Sequence, residues 1–366
     1  MKKVLFLCLF ISFYSCIKKE QKDTDIIKID ISEAIDLELD ELVKEINIIP
    51  LETNDSCLIH ERNTMQIRNG NIYINNNQKE VLQFNPEGQF IKSSLSLRGQ
   101  GPKEYIFVHS SFVDEEDVLG IYEIYFSRIQ EYGKQWTYQQ SVKIEVPDTR
   151  SPQLFRSYIK LNDSIYIVKD FKDIHFYSVK QGRTVKSIHH EFPDLLAQMT
   201  QLQLTEYNGK FHYSHSYSCD TLFCIDEKDL CLKPELIFDF LGKSFNIKDL
   251  PFNMPAEYYL RYLLDTDKIV VLEKINLPNR KFCYFLEGKK SYVSYTTNRG
   301  TTIFLKNKKN PFPTPHAIEN NTFYNLVWPE KLKEYINTEL VDNESLKRIQ
   351  HIKDDDNPVL VCYKLI

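Results

Sequence analysis

From residue 70 to the C-terminus, short runs rich in Ile, Val, Tyr and Phe keep returning, separated by Asn, Gly or Pro. This rhythm limits the fold more than any other feature. The clearest unit reads Gly70-Asn71-Ile72-Tyr73-Ile74-Asn75, then Glu80-Val81-Leu82-Gln83-Phe84-Asn85, the turn Pro86-Glu87-Gly88, and Gln89-Phe90-Ile91-Lys92. Pro86 fixes φ at a turn position and Gly88 supplies a backbone state closed to most residues, so the register of the flanking strands is set. Comparable units run from Phe107 to Ile144, Ser157 to Ile188, Tyr207 to Phe240 and Asp267 to Tyr295. Equivalent strands at Ile72, Ile165 and Ile269, with a less regular unit between the first two, are spaced too widely for a small sandwich and suit a radial repeat. Each unit exposes an apolar face that only a neighbour can cover. The sequence therefore predicts an all-β, six-bladed β-propeller.

Usage agrees, with 22 Tyr and 23 Phe against very little Ala, a strand-rich and helix-poor choice. Thr302 to Leu305 and Thr322 to Val327 are expected in a sixth unit, with a last strand from Asn357 to Leu365. Residues 329–353 break the rhythm: Leu332, Tyr335, Ile336 and Leu340 follow helical spacing behind Pro329, which predicts a small helical insertion. Open strand edges invite aggregation, so the strand at Ile46 to Leu51 is expected to complete the last blade. Residues 26–366 then form one domain closed by N- and C-terminal strands, with the chain entering the ring near that seam.

The chain begins Met1-Lys2-Lys3, continues through an apolar run from Val4 to Tyr14, and turns polar after Ser15-Cys16. A basic start and a short apolar stretch form a secretory leader, too short for a permanent membrane span. The segment resembles a bacterial lipoprotein signal. That resemblance implies cleavage of residues 1–15, lipidation of Cys16, a tether over 16–25, and attachment to the membrane through lipid alone. An ordinary secreted protein with an incidental Cys16 is the plainer alternative. The expected location is the outer membrane. Basic residues follow Cys16 before acidic ones, which leaves both the periplasmic face and the cell surface open. Loss of Lys2 and Lys3 moves the formal charge from -5 to -7, which offers nothing to nucleic acid.

Four segments carry a wider likeness: Ile49-Pro50-Leu51-Glu52-Thr53, Arg98-Gly99-Gln100-Gly101-Pro102-Lys103-Glu104-Tyr105, Arg128-Ile129-Gln130, and Asp355-Asp356-Asn357-Pro358-Val359-Leu360. In these the chain resembles the six-bladed β-propeller lipoproteins of Bacteroidetes, themselves similar to NHL-repeat propellers. The resemblance implies a fold and an export route, and it brings no catalytic set. Arg98, Gly99, Gly101, Pro102, Glu104 and Tyr105 read as a structural connector, because neither a Walker lysine nor a following helix accompanies the glycines. Glu104 is expected to accept backbone N–H groups or to pair with Arg98.

Sequence chemistry is sparse. No nucleophile elbow occurs. His175, His189, His190, His212 and His215 gather in the middle third, with His189-His190 read as structural or surface residues. Asp114 to Asp117 and Asp354 to Asp356 lack the intervals of a calcium loop. Six cysteines remain beyond Cys8 and Cys16, readable as disulfide partners or as buried thiols, and Cys219, Cys224 and Cys231 lack zinc spacing. No metal or cofactor is expected. Trp136, Tyr138 and Trp328 are the candidate ligand contacts, since rigid aromatic faces bind glycans or peptides at low entropic cost. The reading is a lipid-anchored envelope propeller that binds or scaffolds a glycan, peptide or envelope protein. The alternative is a hydrolase or lyase acting on glycans or lactones at the channel mouth, with separated carboxylates.

Overall fold

The computed structural model describes residues 24–61, 63–144, 157–170, 173–189, 204–207, 209–215, 220–246, 256–306 and 312–366. The expected leader, Cys16 and nearly all of the tether lie outside these residues, as do His190 and Cys219.

Two strands precede the repeats, β1 (Asp25–Lys28) and β2 (Val43–Pro50). Blade one is β3 (Asn63–Arg68), β4 (Asn71–Asn76), β5 (Glu80–Phe84) and β6 (Phe90–Ser93). Blade two is β7 (Ser110–Val113), β8 (Leu119–Glu123), β9 (Arg128–Tyr132) and β10 (Tyr138–Lys143). Blade three is β11 (Ser157–Asn162), β12 (Ile165–Lys169), β13 (Asp173–Ser178) and β14 (Arg183–His189). Blade four is β15 (Leu204–Tyr207), β16 (Lys210–Ser214), β17 (Thr221–Asp226) and β18 (Cys231–Asp239). A helix α1 (Ala256–Asp265) leads into blade five, built from β19 (Ile269–Leu277), β20 (Arg280–Glu287), β21 (Lys290–Thr297) and β22 (Gly300–Leu305). Blade six takes β23 (Ala317–Glu319) and β24 (Thr322–Val327), then a 3-10 turn (Pro329–Glu334) and helix α2 (Asn343–Ile349), and ends in β25 (Val359–Leu365). The all-β six-bladed propeller with a small helical insertion is therefore the fold, although the first half of that insertion winds as 3-10 rather than α. Thr302 to Leu305 lie in β22, the fourth strand of blade five, and not in blade six.

Each blade is an antiparallel meander, and its first strand faces the axis. β23 lies against β3, β3 against β7, β7 against β11 and β11 against β15, so the inner strands follow chain order around the ring. Local sequence enforces the meanders. Between β3 and β4, Asn69 and Gly70 both have positive φ, 52° and 76°, the two-residue hairpin whose twist matches its strands. Gly88 sits at φ 83°, and a Cβ there would lie 2.3 Å from the Pro50 carbonyl oxygen, so only glycine fits where β5 turns beneath the end of β2.

The core is divided among the inter-blade seams. Blades five and six share Phe282, Phe312 and Phe323, whose ring centroids lie 5.1–5.8 Å apart. Blades two and three meet through Tyr122, Tyr158 and Tyr166, with the Tyr166 hydroxyl on the buried Glu131 carboxylate. Cys57, Cys283 and Cys362 are buried thiols outside any disulfide, and burial pushes the Cys362 thiol up to about 12.

The N-terminal segment runs along the rim. β1 pairs in parallel with β18 of blade four, Ile35 bridges Phe304 of blade five, and β2 pairs antiparallel with β25 of blade six. Ile27 and Ile29 enter the seam of blades four and five, while Leu37, Leu39 and Leu42 enter that of blades five and six. The chain thus enters the ring at blade four, not beside the closure seam that the position of Ile46 suggested. The insertion covers what β2 would leave open. Ile46 exchanges backbone hydrogen bonds with Leu340 and Asp342, and the Ile48 N–H donates to the buried Ser345 hydroxyl at 2.8 Å. Asp342 caps α2 by accepting from the N–H groups of Glu344 and Ser345.

Candidate functional site

Blades one and four stand opposite each other in a six-membered ring, and their inner strands are joined at the axis. Arg68 ends β3 and Glu206 lies near the end of β15; their side chains meet at 2.7 Å, with 16% and 8% of their surfaces exposed. Arg68 also lies over the Phe112 ring of β7, 5.8 Å from its centroid. Glu206 is held above its ordinary value, first by burial, against the pull of Arg68, and a hydrogen bond with Glu115 adds to the rise. Nearby, Gln66 bonds both backbone groups of Val113 at 2.8 and 2.9 Å, tying the inner strands of blades one and two. Lys160 of β11 reaches Asp114 at 3.2 Å. The axis is therefore occupied by protein side chains at the end where each blade passes from its first strand to its second.

The connector between blades one and two folds on itself. Gly101 N–H donates to the Glu104 carboxylate at 2.8 Å, and a Cβ on Gly99 would lie 2.0 Å from the same group. Arg98 donates to the Ile106 carbonyl at 2.9 Å, so Glu104 serves the glycine backbone while Arg98 turns elsewhere. Blade two grips the loop from below: Arg128 and Gln130 both donate to the Glu104 carbonyl at 2.9 Å, and the Tyr132 hydroxyl donates to that of Lys103 at 3.1 Å. Tyr105 is fully buried, its hydroxyl 2.7 Å from that of Ser94. Pro102 contributes a carbonyl that Gln130 also reaches, at 3.3 Å.

Trp136 is only 6% exposed and packs with Tyr73, Val81 and Tyr105, with the Lys92 ammonium 4.4 Å from its ring centroid. Tyr138 packs against the same cluster, opposite Tyr132. Trp328 is half-buried at the entry to the helical insertion on blade six, so the three aromatics do not form one patch. A separate, half-open groove of about 180 Å³ follows the seam of blades six and one, lined by Ile49, Ile67, Ile72, Pro86, Tyr324 and Leu360 among others.

Sequence reasoning missed two groupings. His212 of β16 meets Glu235 of β18 at 2.7 Å, and that contact, first among its causes, holds the Glu235 carboxyl down to about 2. On blade three, Asp170, Asp173 and His175 bring carboxylate oxygens and ring nitrogens within 4.8 Å of one another, a donor set able to hold a cation. The signal for the second was present as Asp-x-x-Asp-x-His, but only the antiparallel pairing of β12 with β13 sets Asp170 beside His175.

The fold has solved counterparts. A candidate exported protein of Bacteroides fragilis is 16% identical, with 93% of this chain and 99% of that chain covered at a TM-score of 0.70. A member of the DUF4221 family from Bacteroides vulgatus is 13% identical, with 89% and 98% covered at a TM-score of 0.53. Both share the fold. No curated protein matched the sequence. A family profile does match, over residues 25–364, which takes in the rim segment, all six blades and the final strand: the chain belongs to the family defined by the domain of unknown function DUF4934.

Proposed function

We propose that the protein is a binding or scaffolding propeller of the cell envelope, held at the outer membrane by lipid on Cys16 and presenting its ring to a glycan or peptide. The observation that carries this reading is the filled axis. Arg68 and Glu206 bridge opposite blades and occupy the axis at one end, which leaves the turns and connectors around that end as surface open to a ligand. Trp328, at the half-exposed entry to the insertion, is the aromatic best placed for such contact, and Tyr138 lies partly open beside Lys103. The lipid anchor rests on the leader and Cys16, with the periplasmic face and the cell surface as its two settings. Glycan arrays and peptide pull-downs with the purified protein test binding. Mass spectrometry of the mature N-terminus and fractionation of Cys16→Ser test anchoring. A soluble, unmodified wild type overturns the anchor, and turnover of a glycan or lactone overturns the binding role.

One observation favours the hydrolase or lyase reading. Glu206, raised by burial and bonded to Glu115, is a carboxyl held above its ordinary value beside a second carboxyl at the axis. Loss of any such turnover in Glu206→Gln would establish it.

A further inference from the structure

We propose that blade three carries a site for one zinc-like divalent cation, formed by Asp170, Asp173 and His175 with His189 as the fourth ligand. The inference goes beyond the binding role and does not depend on it.

Register brings these residues together. Along β13, Asp173 and His175 are two residues apart and so share a face; their cross-strand partners on β14 are His189 and Ser187. The first pair sets His189 Nδ1 2.9 Å from Asp173 Oδ2, and the second sets His175 Nδ1 2.8 Å from the Ser187 hydroxyl. The turn then adds Asp170, whose backbone N–H donates to the Asp173 carbonyl at 3.1 Å while its own Oδ1 accepts the Asp173 N–H at 2.6 Å. That closure points Asp170 Oδ2 at His175 Nε2, 3.2 Å away.

Three features distinguish this from an ordinary polar turn. His175, 2% exposed, has Nδ1 held by a hydroxyl, the second-sphere arrangement that fixes an imidazole and presents its other nitrogen to a metal. Asp173 Oδ1 is buried without a hydrogen-bond partner among the described residues, which carries a desolvation cost that a cation would remove. The spacing is compatible: bonds of about 2.1 Å in a tetrahedron put ligand atoms about 3.4 Å apart, the donors of Asp170, Asp173 and His175 lie within 4.8 Å of one another, and His189 is reached through Asp173 at 2.9 Å. Two imidazoles with two carboxylates select zinc over calcium or magnesium, which take all-oxygen shells of six or more. Two carboxylates against the buried Lys169 ammonium, which donates to the Asp170 carbonyl at 3.1 Å, leave one net negative charge for the ion to meet.

A bound ion would tie the β12–β13 turn to both strands of the blade's outer half. Chelator-treated protein titrated with zinc chloride by calorimetry is expected to bind one ion per chain and to melt at higher temperature with the metal. His189→Ala, whose side chain is 71% exposed and outside the core, is expected to weaken binding about tenfold, and Asp173→Asn about a hundredfold. If Asp173→Asn does not fold, His189→Ala alone carries the comparison, read from its metal-induced melting shift. Cobalt substitution is expected to give d–d bands without a thiolate charge-transfer band, separating this site from any cysteine ligation. Absence of stoichiometric zinc, unchanged affinity in His189→Ala, or a thiolate band would overturn the assignment.

Discussion

The two halves of the ring finish their outer edges differently. Blades four, five and six are bordered in turn by β1, by Ile35 against β22, and by β2 under the helical insertion. Blades one, two and three end in β6, β10 and β14, with no further strand laid along them among the described residues. Those strands manage exposure by composition. β14 shows Arg183, Lys186 and His189 to solvent, and β10 shows Gln139, Gln140, Ser141 and Lys143, charges and amides that discourage pairing with another chain. One half is sealed by extra chain and the other by polar side chains. An edge can be made safe either by satisfying its backbone groups or by making its neighbourhood unattractive.

The largest expected effect comes from breaking the seal. Leu39 is fully buried between blades five and six, so Leu39→Ala should cost about 3 kcal/mol, read as a shift in the denaturant midpoint. Val185→Ala on half-buried β14 should cost about 1 kcal/mol, and equal losses at the two sites would remove the distinction. The bond that joins the halves across the axis comes next. Arg68→Ala leaves Glu206 buried without its counter-charge, and a loss of about 3 kcal/mol is expected, part of it restored by adding Glu206→Gln.

Acid and base should then separate two carboxyls of blade four. Glu206 has a raised value, so the folded protein holds that proton longer than the unfolded chain, and stability falls as pH rises above 4.5 toward the folded value. Glu206→Gln should flatten that decline. Glu235 is depressed, so its contribution is present above 4.5 and disappears as pH falls toward about 2. With solvent screening, Glu235→Gln should remove about 1 kcal/mol at neutral pH and little at the acid end of a pH-resolved unfolding series. The smallest effect on stability should have the clearest effect on association. Lys186→Val on β14 is expected to change unfolding free energy by less than about 0.5 kcal/mol while promoting oligomers on size-exclusion chromatography.

Strand rhythm made the fold legible, because alternation and turn chemistry are local. Asn69-Gly70 and Pro86-Glu87-Gly88 announce their hairpins, and the break after Pro329 announces the insertion. Long-range placement was not legible. Nothing near Ile26 says which blade it will border, since any edge strand accepts a parallel neighbour. Thr302 to Leu305 read equally well as the end of one blade or the start of the next, and only pairing with β21 decides. The sites followed the same rule. Glu104 beside Gly99 and Gly101 is a local constellation and could be read as a connector. Arg68 and Glu206 are 138 residues apart and become a pair only when the ring closes. Trp136 illustrates the reverse, an aromatic in a loop whose position in the chain says nothing of the neighbours that bury it.

The pairing of β2 with β25 also sets a timetable. Lys364 and Glu45 meet across 319 positions of chain, so one of the first strands to be synthesised has to wait for the last. Until Val359 to Leu365 emerge, the apolar face of β2 and the inner face of blade six have no cover. A polypeptide threading through a membrane pore would pass its whole length in that unclosed condition. Loss of only its last few residues would leave every blade sequence but one intact and still deny the ring its clasp.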